Sequence, residues 1–138
     1  MMLLDTNVLI YAFNAQSAHY RWALRSIGDA VAGEGAGVNA VSLAELCVGD
    51  AEPETVADRI RLWGVETFDI PVAAASVSAR AYRIYQSRRK RDSGKDSPAV
   101  PLPDFFIGAH AQIMGWMLVT ADVDRYRSYF PKVRLKTP

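Results

Sequence analysis

The sequence of 138 residues has one cysteine, Cys47, only two histidines, and almost no excess of either charge. A lone thiol cannot close a disulfide within the chain, and with two scattered histidines it makes a poor zinc site. Such cysteine usage fits a reducing, cytoplasmic compartment, and Cys47 is expected as a small buried residue on a helix. No apolar run is long enough to span a bilayer, so no membrane partner is expected. The opening MMLLDTN lacks the basic and apolar regions of a signal peptide. Formal net charge is +1. No global basic signal marks nucleic-acid binding, and any electrostatic case must be local.

Half the residues are hydrophobic, too many for a disordered chain. The length suggests a single domain, 1–138, that buries roughly two-thirds of its unfolded surface and needs no staples. MLLD reads as a short buried strand ending at Asp5, and TNVLIYAFN as a helix that Thr6 or Asn7 can cap. AHYRWALRSIGDAVA has helical spacing, and GVNAV is a second strand. SLAELCVGD and PETVADRIRLW read as helices, the latter with Pro53 in its first turn. VETFDI alternates like a strand. VAAASVSARAYRIYQSRRKR is a long helix with a cationic end, which suits the helix dipole. DSGKDSPAVPLP is a loop, DFFIGAHAQIMG a helix closed by Gly115, WMLVT a strand, VDRYRSYF a short helix and KVRL a last strand. Strands alternating with helices predict an α/β sandwich with a mainly parallel sheet.

Four acids hold special places in this layout. Asp5 ends the first strand, and Glu45 lies in the first turn of the helix after the second. Asp104 begins the helix after the proline-rich loop, and Asp122 follows WMLVT. In a parallel sheet the carboxyl ends of the strands share one edge, where ligands bind. Four carboxylates brought together there repel one another, and a divalent cation removes the conflict. All-oxygen ligands suit Mg²⁺ or Mn²⁺.

Each acid also has a plainer role open to it. Ser42-Leu43-Ala44-Glu45 fits a capping box, so Glu45 can simply satisfy a helix N-terminus. Asp104 and Asp122 each precede a helix, where Asp is a favoured cap. Asp5 is harder to dismiss, because a lone carboxylate closing an apolar strand is costly unless it is paired, hydrogen-bonded or bound to metal.

These residues resemble a known family. LLDTNVLIYAF looks like the opening of a PIN domain, VSLAEL is similar to the family's second motif, and LPDFFIGAHAQIMGWMLVTADVDRYRSYFP to its third and fourth, as found in the small bacterial PIN toxins called VapC. The resemblance implies a three-layer α/β sandwich and a metal-dependent endoribonuclease that is the toxin of a toxin–antitoxin pair. It also implies an antitoxin whose C-terminal tail covers the active site, and a homodimer. By the match, Asp5, Glu45, Asp104 and Asp122 are the acids, with Thr120 in the fourth motif. Asp124 competes with Asp122 for the last place.

The residues agree with phosphodiester chemistry. Asp5 and Asp104 are assigned as central ligands of Mg²⁺ or Mn²⁺. Glu45 holds an attacking water or accepts its proton, and Asp122 completes the cage. Thr6, Asn7 and Thr120 are placed to orient the carboxylates. His110, six residues after Asp104, falls on the wrong helix face to join them. RNA needs cations elsewhere, and Arg88, Arg89, Lys90, Arg91 and Lys95 stand beside the loop leading to Asp104, either as a phosphate path or as a solvated helix end. Tyr126, Tyr129 and Phe130 can stack bases, although helical periodicity favours the core. Two other readings stand beside the ribonuclease: an inactive binding module on the same fold, and an α/β phosphatase-type domain. The phosphatase prefers D-x-D-x-T, against which Asn7 counts.

Overall fold

A computed structural model describes residues 1–91 and 99–138 of the chain. In chain order the elements are β1 (Met2–Leu4), α1 (Thr6–Phe13), α2 (Tyr20–Ala32), β2 (Ala36–Asn39) and α3 (Ala40–Val48). A 3-10 turn, Pro53–Thr55, leads into α4 (Val56–Arg61). Then come β3 (Val65–Phe68), α5 (Ala74–Arg91), α6 (Leu102–Met114), β4 (Met117–Val119), α7 (Val123–Tyr129) and β5 (Leu135–Lys136). Residues 92–98 of the expected loop, Lys95 among them, lie outside the described residues. Among the described residues no helix is long and apolar enough to cross a membrane.

The five strands form one sheet in the order β3-β2-β1-β4-β5, and every pairing is parallel. Alternation along each short strand divides the core in two. Leu4, Val38 and Val119 face α1, α2 and α4, where they pack with Val8, Leu9, Ala23, Ile27 and Ile60. Leu3 and Leu118 face the opposite side, against Ala81, Phe105, Ile107 and Tyr126 of α5, α6 and α7 and Phe130 just after α7. The result is the three-layer sandwich with helices on both faces. Full burial of each large side chain contributes roughly 1.5–3 kcal/mol. One close approach fixes α6 in place: a Cβ on Gly108 would lie 2.4 Å from the Phe130 ring, so only glycine lets α6 sit this near that ring. Gly115 ends the same helix at φ 67°, a left-handed turn that glycine adopts without strain.

The chain leaves β1 toward β2 and β3, then returns across α5 and α6 to β4 on the other side of β1. The sheet therefore reverses its winding between β1 and β4, the place where parallel sheets open a crevice at their carboxyl ends.

Several local expectations are corrected. Asp5, not Thr6 or Asn7, caps α1, because the strand runs straight into the helix and leaves its carboxylate over the first turn. The capping box at Ser42 does not form: Asn39, fully buried at the end of β2, caps α3 by accepting from the backbone of Val41 and Ser42 at 3.1 Å each. Glu45 consequently lies in the second turn of α3 and is released from capping. Cys47 is on a helix as expected but only half-buried, since it faces the 3-10 turn, where its thiol donates to the Pro53 carbonyl at 3.3 Å.

Candidate active site

Asp5 is 4% exposed, and its carboxylate is held on three sides. Oδ1 accepts from the Thr6 backbone N–H at 2.8 Å. Oδ2 accepts from the Thr120 hydroxyl at 2.7 Å and from the Asn7 amide at 3.1 Å. Thr120 also accepts from the Asp122 N–H at 2.9 Å, and Asn7 Oδ1 accepts from the Ala121 N–H at 3.4 Å. The polar residues after β1 and β4 thus cross-link the two strand ends around one carboxylate. Thr6 extends the network by donating its hydroxyl to Glu45 Oε1 at 3.3 Å.

Asp104 stands in the first turn of α6 rather than at its cap. Pro101 occupies the cap position without a side-chain bond, because the helix starts upstream through Leu102 and Pro103. Asp122 does cap its helix, accepting from the Arg125 N–H at 3.4 Å. Asp124 points to solvent on the exposed side of α7, so Asp122 is the acid that faces the crevice.

Burial raises the carboxyl of Asp5 above its ordinary value, with the Thr120 bond, Arg125 and Thr6 opposing the rise. Glu45 is exposed as a residue at the crevice mouth, yet loss of water around its carboxyl raises it too, aided by Asp104 and then Asp5. Asp104 is raised by burial and by Asp122, against the pull of Arg125. Glu45 is thus within electrostatic reach of Asp104 and Asp5, and Asp104 within reach of Asp122. Beside them the Tyr126 hydroxyl is fully buried next to Asp5, and burial followed by the Asp5 charge pushes it well above the ordinary phenol range.

The sequence reading missed Arg125. Its Nη2 lies 2.9 Å from Asp122 Oδ2 and its Nη1 lies 3.5 Å from Asp104 Oδ2. Burial works against its charge, but Asp122, Tyr126, Asp5 and Asp104 outweigh that and hold the proton more firmly than usual. The D-x-x-R spacing from Asp122 is the signal that could have found it, since residues three apart meet on a helix. Among the described residues no three acids, histidines or cysteines converge closely enough to enclose an ion.

The remaining candidates separate. Tyr126 and Phe130 are core, at 0% and 1% exposure. Tyr129 is half-buried against Tyr85 and Phe105. His110 is buried against Trp116, away from the acids, and burial lowers its basicity. Arg88, Arg89, Lys90 and Arg91 line the exposed last turn of α5, with the Arg88 guanidinium 5.2 Å above the Tyr129 ring. Tyr129 is one helical turn beyond Arg125, so the cationic turn and the crevice flank the same short helix. An apolar groove of about 420 Å³ opens next to Glu45, lined by Ile10, Phe13, Leu46 and Val56 with Asp50 and Arg59 at its rim.

The PIN domain family model matches residues 2–131. No curated protein matches the chain. Solved structures do. VapBC2 of Rickettsia felis bound to a promoter DNA fragment is 18% identical with a TM-score of 0.66, covering 99% of this chain and 97% of that one. DNA-bound VapBC of Salmonella typhimurium is 22% identical with a TM-score of 0.65, over 99% and 96%. VapC20 of Mycobacterium tuberculosis, a toxin that cleaves the sarcin-ricin loop, is 17% identical with a TM-score of 0.63, over 97% and 99%. At these identities the likeness shows the shared fold. From its first strand to the proline after α7, this chain belongs to the PIN domain family.

Proposed function

We propose that the chain is a Mg²⁺- or Mn²⁺-dependent endoribonuclease and the cytoplasmic toxin of a toxin–antitoxin pair. The observation that carries the reading is the run of acids at the switch point between β1 and β4, Glu45 within electrostatic reach of Asp5 and Asp104, and Asp104 of Asp122. The donor set fits a hard divalent cation: oxygen throughout, on carboxylates among which burial raises Asp5, Glu45 and Asp104 above their ordinary values. Asp5 and Asp104 would hold the cation, with Asp122 completing the cage. A cation there supplies Lewis acidity to a water and to a phosphate.

The chain's own residues do the rest. Thr6, Asn7 and Thr120 fix the orientation of Asp5, as partners of metal-binding carboxylates do. Glu45, at the wet mouth, positions the attacking water and takes its proton. Arg88, Arg89, Lys90 and Arg91 offer RNA phosphates a path toward the crevice along α7. The apolar groove beside Glu45 receives a segment of the antitoxin, in keeping with the toxin–antitoxin complexes among the structural relatives. The toxin is read as a homodimer, which the apolar surface around Val72 and Leu102, 91% and 40% exposed, supports.

One observation favours a second reading. Arg125 already neutralises the acids, as it would in a catalytically inactive binding module. A single experiment decides between the two. Partner-free protein is incubated with RNA in Mg²⁺ or Mn²⁺, with and without EDTA. The ribonuclease reading expects cleavage that stops in EDTA and returns with added metal. Undiminished cleavage in EDTA excludes the metal mechanism, and no cleavage under any condition favours the binding module.

A further inference from the structure

We infer that Arg125 is a resident counter-ion of the acid crevice, and that its ion pair with Asp104 must open before a divalent cation can bind. The inference rests on the reading of the crevice as a metal site, and concerns what this chain does before metal arrives. Helical side chains lean toward the N-terminus, so a residue three positions into α7 projects back over its own cap. Arg125 therefore spans from Asp122 at the start of its own helix to Asp104 on α6.

Its two contacts are unequal. The pair with Asp122 is short, 2.9 Å, and within one helix, whereas the pair with Asp104 is 3.5 Å and joins two helices. Asp104 is thus the partner that can be released while Asp122 keeps the guanidinium tethered. The Arg125 side chain is 25% exposed, which leaves it room to swing toward the mouth. The same guanidinium lowers Asp5, Glu45 and Asp104, so it offsets three of the charges that a cation would otherwise neutralise. A guanidinium and a divalent cation cannot both occupy that charge position, because like charges at contact repel strongly. Arg125 thereby offsets the charge of the metal-free crevice, at the cost of weaker metal binding.

The test is Mn²⁺ binding to partner-free protein by electron paramagnetic resonance. Arg125→Gln should bind Mn²⁺ about tenfold more tightly than wild type, the size expected when one of two competing ligands is removed. Arg125→Lys, which keeps the charge, and Arg127→Gln, on the exposed side of the same helix, should stay within about threefold of wild type on the same scale. A second measurement guards against misfolding of Arg125→Gln. In wild type, the side-chain NMR signal of Arg125, assigned by its loss in Arg125→Lys, should shift in step with Mg²⁺ saturation. If wild type binds Mn²⁺ but folded Arg125→Gln binds no tighter, or if the Arg125 signal ignores saturating Mg²⁺, the counter-ion inference is overturned while the metal site stands. If neither wild type nor Arg125→Gln binds Mn²⁺, the metal reading falls and this inference falls with it.

Discussion

Asp5→Asn is expected to lower RNA cleavage by well over about a hundredfold, a loss that the partners of a metal ligand can already cause. The substitution removes the charge at the strand-end junction but keeps the shape. The new amide can still accept from the Thr6 N–H, while Asn7 and Thr120 reorient around its NH₂ group. The fold should therefore survive, and stability gives the signature that separates lost chemistry from lost structure. Asp5 has its carboxyl raised in the folded state by burial, so ionising it disfavours folding. The sign follows from linkage: a raised acid favours the folded state fully below the ordinary value of 3.8, and that advantage is lost as pH climbs through the raised folded value. Metal-free Asp5→Asn should accordingly be at least as stable as wild type at pH 7, by urea unfolding, with the difference shrinking toward pH 4. The surface pairs Asp29–Lys136 and Asp50–Arg59 have lowered carboxyls and lose their stabilisation as pH falls, but they are common to both proteins and cancel. An unfolded or fully active Asp5→Asn would make Asp5 structural.

Phe13→Glu should produce the opposite phenotype. Phe13 is 49% exposed at the groove beside Glu45 and packs on Trp63 with ring centroids 4.7 Å apart. A half-exposed aromatic in an apolar groove suits a partner's anchor, and losing such an anchor commonly costs on the order of 2–4 kcal/mol. Antitoxin affinity should fall about thirtyfold to a thousandfold, as that energy implies. RNA cleavage should change little, because Phe13 lines the groove beside Glu45 and brings no oxygen or nitrogen to the crevice. In bacteria, wild-type expression should arrest growth and co-expressed antitoxin should restore it. Phe13→Glu should arrest growth in either case, and Asp5→Asn should arrest it in neither while still binding the antitoxin. Growth curves at matched protein levels read all of these together. Full rescue of Phe13→Glu by antitoxin would move the docking site elsewhere.

How far the fold could be read in advance depended on how local each signal was. The alternation of short apolar strands with helices is written in periods of two and 3.6, and it placed the strands and helices close to where they form. Asp5 stood out for the same reason: a charge closing LLD has few inexpensive explanations. Contacts that join distant segments were harder to read. Ser42-x-x-Glu45 looks like a capping box, but Asn39 arrives first because β2 runs into α3 without a loop, and the acid that seemed occupied is released to the crevice. Asp104 resembled a cap, but two prolines carry the helix start upstream of it. Arg125 carries little signal in the sequence alone, because its meaning depends on α6 bringing Asp104 beside α7, a placement that the close fit of Gly108 on Phe130 supports. The groove at Phe13 is built from α1, α3 and α4, with no single stretch of sequence holding its pattern.

The central claim is that the crevice between β1 and β4 holds the cation that RNA cleavage requires. Crystals of partner-free protein soaked in Mn²⁺ test it directly through anomalous scattering. One strong anomalous peak is expected in contact with the carboxylates of Asp5 and Asp104, with the Arg125 guanidinium displaced from Asp104. An anomalous peak elsewhere on the protein, or none at this crevice in protein that cleaves RNA in the same Mn²⁺ concentration, would contradict it.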